Sequence, residues 1–128
     1  RATASAIFEV CGTADEVGSE ADIDYMTGLT GSGPAFPALL AAAMMKDAEA
    51  HGFSREIARR AVNAVLVGAG RLLELHDECP ADTVETFVAY RGTTAAAIEA
   101  MRASGFEIAV ADGLAAALRK SVSMGQHS

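Results

Sequence analysis

The sequence predicts an all-α fold, a bundle of six to seven helices, and three observations predict it. Apolar residues make up 51% of the 128 residues while aromatics supply only 5% and Trp is absent, so the core must be built from Ala, Leu, Val and Ile. Such alanine-rich aliphatic sequence suits closely packed helices. Apolar positions recur at the 3.6-residue period through several long windows, and Gly and Pro fall mostly between those windows, where helices start and stop. The length is that of one domain able to bury a real core.

Taken in order, residues 3–10 read as a short helix with Ala6, Ile7 and Val10 on one side. Residues 11–20 are polar, contain Gly12 and Gly18, and read as a loop with room for a short extended piece. Residues 22–29 read as a short helix entering a glycine turn at 31–33. From Pro34 to about His51 a long helix carries Phe36, Leu39, Leu40, Ala43 and Met44 as its apolar face, and Gly52 stops it. Ser54 can cap the next helix, which continues to about His76. Its stripe of Ile57, Ala58, Ala61, Val62, Val65, Leu66, Ala69, Leu72 and Leu73 is too broad for a simple surface helix. Gly68 and Gly70 inside it each cost about 1 kcal/mol against Ala, which close approach by another helix would offset; a kink is the other reading.

After Pro80 a short helix spans about 82–89, and residues 92–94 open another that runs to about Ser104 with Ala97, Ile98 and Met101 inward. Gly105 ends it. A last helix over about 107–124 is expected to bury Ile108, Val110, Ala111, Leu114, Ala115 and Leu118, with Arg119 and Lys120 near its negative end. Broad apolar faces together with internal glycines exceed the needs of a small monomer and predict a homodimer.

The formal charge of −7 argues against nucleic acid or an anionic membrane as partner. Asp15, Glu16, Glu20, Asp22 and Asp24 read mainly as a solvated surface. Cys11 and Cys79 form no disulfide or zinc pattern, and with three scattered His no metal site is expected. No apolar run reaches the ~18 residues of a membrane span, and no signal peptide is present, which fits a cytoplasmic protein. The chain begins at Arg1, as a piece of a longer polypeptide would.

Two segments can hold a ligand. In the run from Asp24 to Phe36, Gly31 and Gly33 permit a tight turn and close approach, Ser32 adds a hydroxyl, and Pro34 suits the first helical position. The exposed helix start beyond them would attract anions and carbonyl oxygens through unpaired N–H groups and the helix dipole; a glycine turn capping a core helix is the plainer reading. Gly92, Thr93 and Thr94 form a second such start, able to grip a carboxylate with its amides, unless Thr93 serves as an ordinary N-cap. Asp77 and Glu78 can supply an acid to a cationic amine or imine, or simply belong to a solvated loop. His51 and His76 suit helix C-termini, and Cys79 reads as inert packing.

The order of these pieces resembles the C-terminal domain of pyrroline-5-carboxylate reductase, over almost the whole chain. The matching stretches are TGLTGSGPAF at 27–36, HGFSREIAR at 51–59, Val67-Gly-Ala-Gly, Pro80 and Gly92-Thr-Thr. The resemblance implies an interlocked homodimer of helical domains, with residues 1–128 as the dimerisation and substrate domain. It further implies an N-terminal Rossmann domain of the same polypeptide, absent from this chain, that binds NADP or NAD. It places Gly31, Ser32, Gly33 and Pro34 at the nicotinamide end of that cofactor. The amides of Gly92, Thr93 and Thr94 fall on the carboxylate of a small cyclic imine carboxylate, the Thr94 hydroxyl near the imine nitrogen, and Asp77 where the family carries an acid. The implied reaction is hydride transfer from NAD(P)H to the C=N carbon, the step that closes proline biosynthesis.

The family usually reads Ser-Pro-Gly-Gly where this chain has Ala89-Tyr90-Arg91-Gly92. The serine hydroxyl is lost, and Arg91 either grips the carboxylate in its place or points into solvent. Lacking a G-x-G-x-x-G unit, the chain has no dinucleotide site of its own and is expected to be inactive alone. A non-catalytic helical dimerisation module is the alternative reading.

Overall fold

The computed structural model describes residues 19–31 and 33–126. The expected helix at 3–10, the loop from Cys11 to residue 18, and Ser32 lie outside the described residues. Those described residues are helical between short turns and include no strand: α1 (Glu20–Met26), a π segment (Thr27–Gly31), α2 (Ala35–Ala50), α3 (Arg55–His76), α4 (Pro80–Ala89), α5 (Thr93–Ala103) and α6 (Phe106–Gln126). The chain divides into two compact units, Arg1–Gly33 with Val110–Ser128 and Pro34–Ala109, each taken by itself below.

In the first unit α1 begins at Glu20, two residues before the sequence expectation. Ser19 is the reason: its Oγ accepts from the N–H of Asp22 at 3.1 Å, and Glu20 and Asp22 sit in the first turn, where the helix dipole favours acids. The acids at 20 and 22 thus belong to a helix start. The helix widens into the π segment, where the hydroxyl of Thr27 donates to Ile23 O at 2.8 Å and that of Thr30 to Met26 O at 2.7 Å. Against α1 and the π segment lies the half-buried side of α6 carrying Leu114, Ala117, Leu118 and Ser121. Ile108, Val110, Ala111 and Ala115, expected to be buried, are exposed.

In the second unit α2 packs on α3. The half-buried stripe of α2 is Ala41, Met44, Met45 and Ala48, at i, i+3, i+4 and i+7. Phe36, Leu39, Leu40 and Ala43, expected inward, are exposed, Leu39 by 72%. Helix α2 closes on His51 and Gly52: the N–H of Gly52 meets Glu49 O at 3.0 Å and that of Phe53 meets Ala48 O at 3.2 Å. This paired arrangement needs the left-handed φ of 99° that Gly52 adopts without strain. His51 Nδ1 lies 3.0 Å from Asp47 O, a helix-ending surface role as expected.

Ser54 caps α3, its Oγ accepting from the N–H of Ile57 at 3.2 Å. Glu56 in the first turn is bonded by Arg59 Nη2 at 2.6 Å, and that hydrogen bond holds its carboxyl below the ordinary glutamate range while raising the guanidinium's own pKa. Ser54→Ala is expected to cost about 1 kcal/mol by loss of the cap, read as a lower urea midpoint with an unchanged slope.

The broad stripe of α3 divides in two. Ala58 and Val62 are buried and Leu66 and Leu73 half-buried. Ile57, Ala61, Val65, Gly68 and Leu72 recur at helical spacing along another face and are exposed, Val65 by 53%. Among the described residues no close approach offsets the internal glycines: a Cβ built on Gly68 or Gly70 would meet none of them within 4 Å.

Helix α4 starts at Pro80, two residues earlier than expected, because Cys79 O accepts from Asp82 N at 2.9 Å and Thr83 N at 3.2 Å. Cys79 is exposed, a correction to its reading as packing. Helices α4 and α5 pack as a pair, with Ala95 buried and Ile98 half-buried on α5, while Ala97 and Met101 are exposed. Arg102 on α5 reaches Glu85 on α4 at 3.2 Å.

Candidate functional site

The start of α5 is the better-formed of the two candidate sites. Its N-cap is Gly92, with an extended backbone (φ −98°, ψ −154°) and no side-chain cap. Thr93 is the first helical residue, so its reading as an ordinary N-cap does not hold. The first intrahelical bond runs from Ala96 N to Gly92 O at 3.1 Å. The N–H groups of Thr93, Thr94 and Ala95 therefore precede the ladder, and among the described residues none donates to a backbone or side-chain acceptor. Gly92, Thr93 and Thr94 are exposed; Ala95, behind them, is 2% exposed and anchors the turn. Among the described residues nothing lies within 4 Å of where a Cβ on Gly92 would stand. Three aligned donors at the positive end of an 11-residue helix suit a carboxylate.

Arg91 precedes this start in the left-handed region, φ 56°, its N–H donating to Val88 O at 3.1 Å. A residue with a Cβ is strained there, where a glycine would not be. The exposed Arg91 guanidinium stands 3.7 Å from Glu99, two turns along α5. Its side chain is 73% exposed, so the guanidinium lies beside the helix flank in contact with solvent. Arg91→Gly is expected to raise unfolding free energy by about 0.5–1 kcal/mol, since relief of the backbone exceeds what an exposed ion pair contributes; chemical denaturation measures it.

Asp77 ends α3 in the left-handed conformation, φ 47°, and is exposed. Among the described residues no hydrogen bond or ion pair links it to the α5 start. Its neighbour Glu78 is half-buried and accepts the Thr83 hydroxyl at 2.6 Å. Glu78 stands just before the N-cap of α4 and Thr83 at the fourth helical position, the pair of sites a hydrophobic staple uses, so this carboxylate pins the helix entry. The Glu-x-Pro-x-x-Thr spacing was the available signal for it.

The glycine segment is poorer in donors than the sequence suggests. Gly31 closes the π segment, and the N–H of Gly33 is spent on Thr30 O at 3.1 Å. Pro34 is the N-cap of α2 rather than its first residue, and Pro37 falls in the same turn, so Ala35 and Phe36 alone bring N–H groups to its first three positions. A Cβ on Gly33 would stand 2.9 Å from Thr30 O, so glycine there is a steric requirement of the turn. Gly31 is exposed, and among the described residues a Cβ built on it would meet only Thr27 Cγ2, at 3.9 Å. The residue that sequence reasoning passed over is Gly28, buried against Ala117 of α6. Among the described residues no group of His, Cys, Asp or Glu clusters to ligate a metal, and no helix is long and apolar enough to cross a membrane.

Residues 20–124 match the family model for pyrroline-5-carboxylate reductase dimerisation. The chain belongs to the pyrroline-5-carboxylate reductase family. It is 35% identical over 123 residues to pyrroline-5-carboxylate reductase of Pseudomonas aeruginosa, covering 96% of this chain and 45% of that protein. Against the Synechocystis reductase it is 33% identical over 125 residues, covering 98% of this chain and 46% of the relative. The all-α fold resembles part of the crystal structure of Plasmodium falciparum pyrroline carboxylate reductase with NADP bound. The TM-score is 0.75 at 26% identity, covering 84% of this chain and 41% of that one. The chain spans less than half the length of the two curated reductases.

Proposed function

We propose that this chain is the dimerisation and substrate-binding half of an NAD(P)H-dependent imine reductase of the pyrroline-5-carboxylate type. It acts with a Rossmann domain of the same polypeptide and a second copy of itself, in proline biosynthesis in the cytoplasm. The observation that carries the reading is the uncapped start of α5, whose amides at 93–95 have no acceptor within the described chain. Those amides would take the carboxylate of a small cyclic imine. The Thr94 hydroxyl would donate to the imine nitrogen as it gains electron density, and Asp77 would serve as the nearby acid. Arg91 would meet the same carboxylate only after leaving Glu99.

The segment at 31–34 would face a nicotinamide cofactor at its uncharged end. Between Thr27 and Ala41 there is no Lys, Arg or His to meet a pyrophosphate, while exposed Gly31 offers a flat uncharged edge. The resemblance to the reductase family would set Gly31, Ser32, Gly33 and Pro34 at the nicotinamide ring. When bound, the reduced ring supplies the hydride that arrives at the C=N carbon, the nitrogen takes a proton, and the product is a cyclic secondary amine. This chain's own part is to hold and orient the imine acid.

The polypeptide of residues 1–128 by itself is expected to oxidise no NAD(P)H in the presence of a cyclic imine carboxylate. Measurable turnover by that purified polypeptide would overturn the division of labour. One observation favours a non-catalytic association module instead: Arg91 sits strained at a glycine-type position with its charge on Glu99, as a drifted ligand loop would leave it. Titration with proline and a cyclic carboxylate analogue separates the two readings, since the module would show no change at residues 92–94.

A further inference from the structure

The ion pair between Arg91 and Glu99 is held by attraction alone. Nη1 and Oε2 are 3.7 Å apart, beyond hydrogen-bond reach, and the two side chains are 73% and 52% exposed. Arg102, by contrast, donates to Glu85 at 3.2 Å. A pair so loose and so exposed to water is readily exchanged for a better partner. Arg91 immediately precedes the N-cap Gly92 and is pinned there by its N–H on Val88 O at 3.1 Å. Glu99 stands two turns further along α5 on the same side as Gly92, and helical side chains lean toward the N-terminus. The cation is therefore parked beside the first turn, whose amides at 93–95 have no acceptor among the described residues. A guest carboxylate on those amides would offer Arg91 the same group that Glu99 offers. Turning the guanidinium back to the guest takes it away from Glu99, so two carboxylates compete for one cation.

We propose that Glu99 is a positioning residue that sets how tightly the α5 start holds a carboxylate, by competing with it for Arg91. This rests on the reading of the amides at 93–95 as the carboxylate site. Glu99 touches no guest; it acts through the guanidinium that it keeps along the helix flank. All of these residues lie in one compact unit, Pro34–Ala109. The expected signature is a coupling: removing the Glu99 charge matters only while Arg91 is present. A loop that has lost its ligand would show no such coupling.

The test is a titration of the 128-residue chain with tetrahydrofuran-2-carboxylate, a cyclic acid with no ammonium of its own, at 0.15 M salt. Binding is followed by the amide NMR signals of residues 93–95, with no cofactor and no turnover. Glu99→Gln is expected to lower Kd about threefold, the scale of an exposed ion pair released. Arg91→Gln is expected to raise Kd about fivefold through loss of a charge-assisted contact. In the Arg91→Gln background, adding Glu99→Gln should change Kd less than about 1.5-fold, because its bare charge is largely screened at that distance. An unchanged Kd in either single variant would overturn the proposal and leave the carboxylate site standing. So would an equal tightening by Glu99→Gln with and without Arg91, which would reduce Glu99 to simple repulsion. If Arg91→Gln does not fold, Arg91→Gly, which suits the left-handed backbone, takes its place with the same expectations. Silent signals at 93–95 in the unchanged chain would remove the carboxylate site itself, and the proposal with it.

Discussion

Thr94→Ala in the complete polypeptide is expected to lower kcat for the cyclic imine about 100-fold, with KM for NAD(P)H unchanged. The hydroxyl stands at an exposed helix start, beside amides that carry no side-chain cap. A donor aimed at an atom that gains electron density is worth roughly 10²–10³ in rate when removed. Folding should be little affected, because among the described residues this side chain holds no other element in place and the adjoining Ala95 supplies the burial. The check is steady-state kinetics beside thermal unfolding. A loss of turnover matched by an equal loss of folded protein, or no loss at all, would remove Thr94 from the reaction. Thr94→Ser, which keeps the hydroxyl, should recover most of the rate.

Val65→Asp is expected to turn a dimer into a monomer. Light scattering of the unchanged chain should give twice the 13.1 kDa of one copy. The reason is the face of α3 carrying Ile57, Ala61, Val65, Gly68 and Leu72, exposed along a helix whose other face already meets α2. A second copy seated there would remove apolar surface from water and would fill the open space beside Gly68, offsetting the helical cost of that glycine. A carboxylate placed in such an interface loses hydration without gaining a partner, a cost of about 3–5 kcal/mol, or two to four orders of magnitude in association. An unchanged mass for the variant would move the interface elsewhere, and a single-chain mass for the parent would end the dimer reading.

Both expectations draw on features that were unevenly legible in the sequence. Helix limits marked by local chemistry read well: Ser54 as a cap, Gly52 and Gly105 as stops, and the long α2, α3 and α6 spans needed no tertiary information. Limits set by backbone acceptors read less well, as at Pro80, where Cys79 O serves the first turn without a side-chain signature. Inward faces were the weakest part. Periodicity shows that α2 has an apolar side but cannot choose between Leu39 and Met45, because nearly every position of that helix is apolar or Ala. The site shows the same contrast. Gly92 and Thr94 announced an open helix start, whereas the spent N–H of Gly33 and the pairing of Arg91 with Glu99 depend on atoms that spacing does not bring together.

By itself the sequence determined the helical class, most of the punctuation between helices and the family, because these follow from short-range propensity and from motifs that keep their order. Only the tertiary structure decided which apolar residues α2 and α3 give to each other and which they leave exposed. It also decided that Gly28 rather than Gly31 meets a neighbouring helix, and that Glu78 serves a helix entry. The physical reason is that a side chain's partner is chosen by packing between segments far apart in the chain, and composition and period carry no record of that choice.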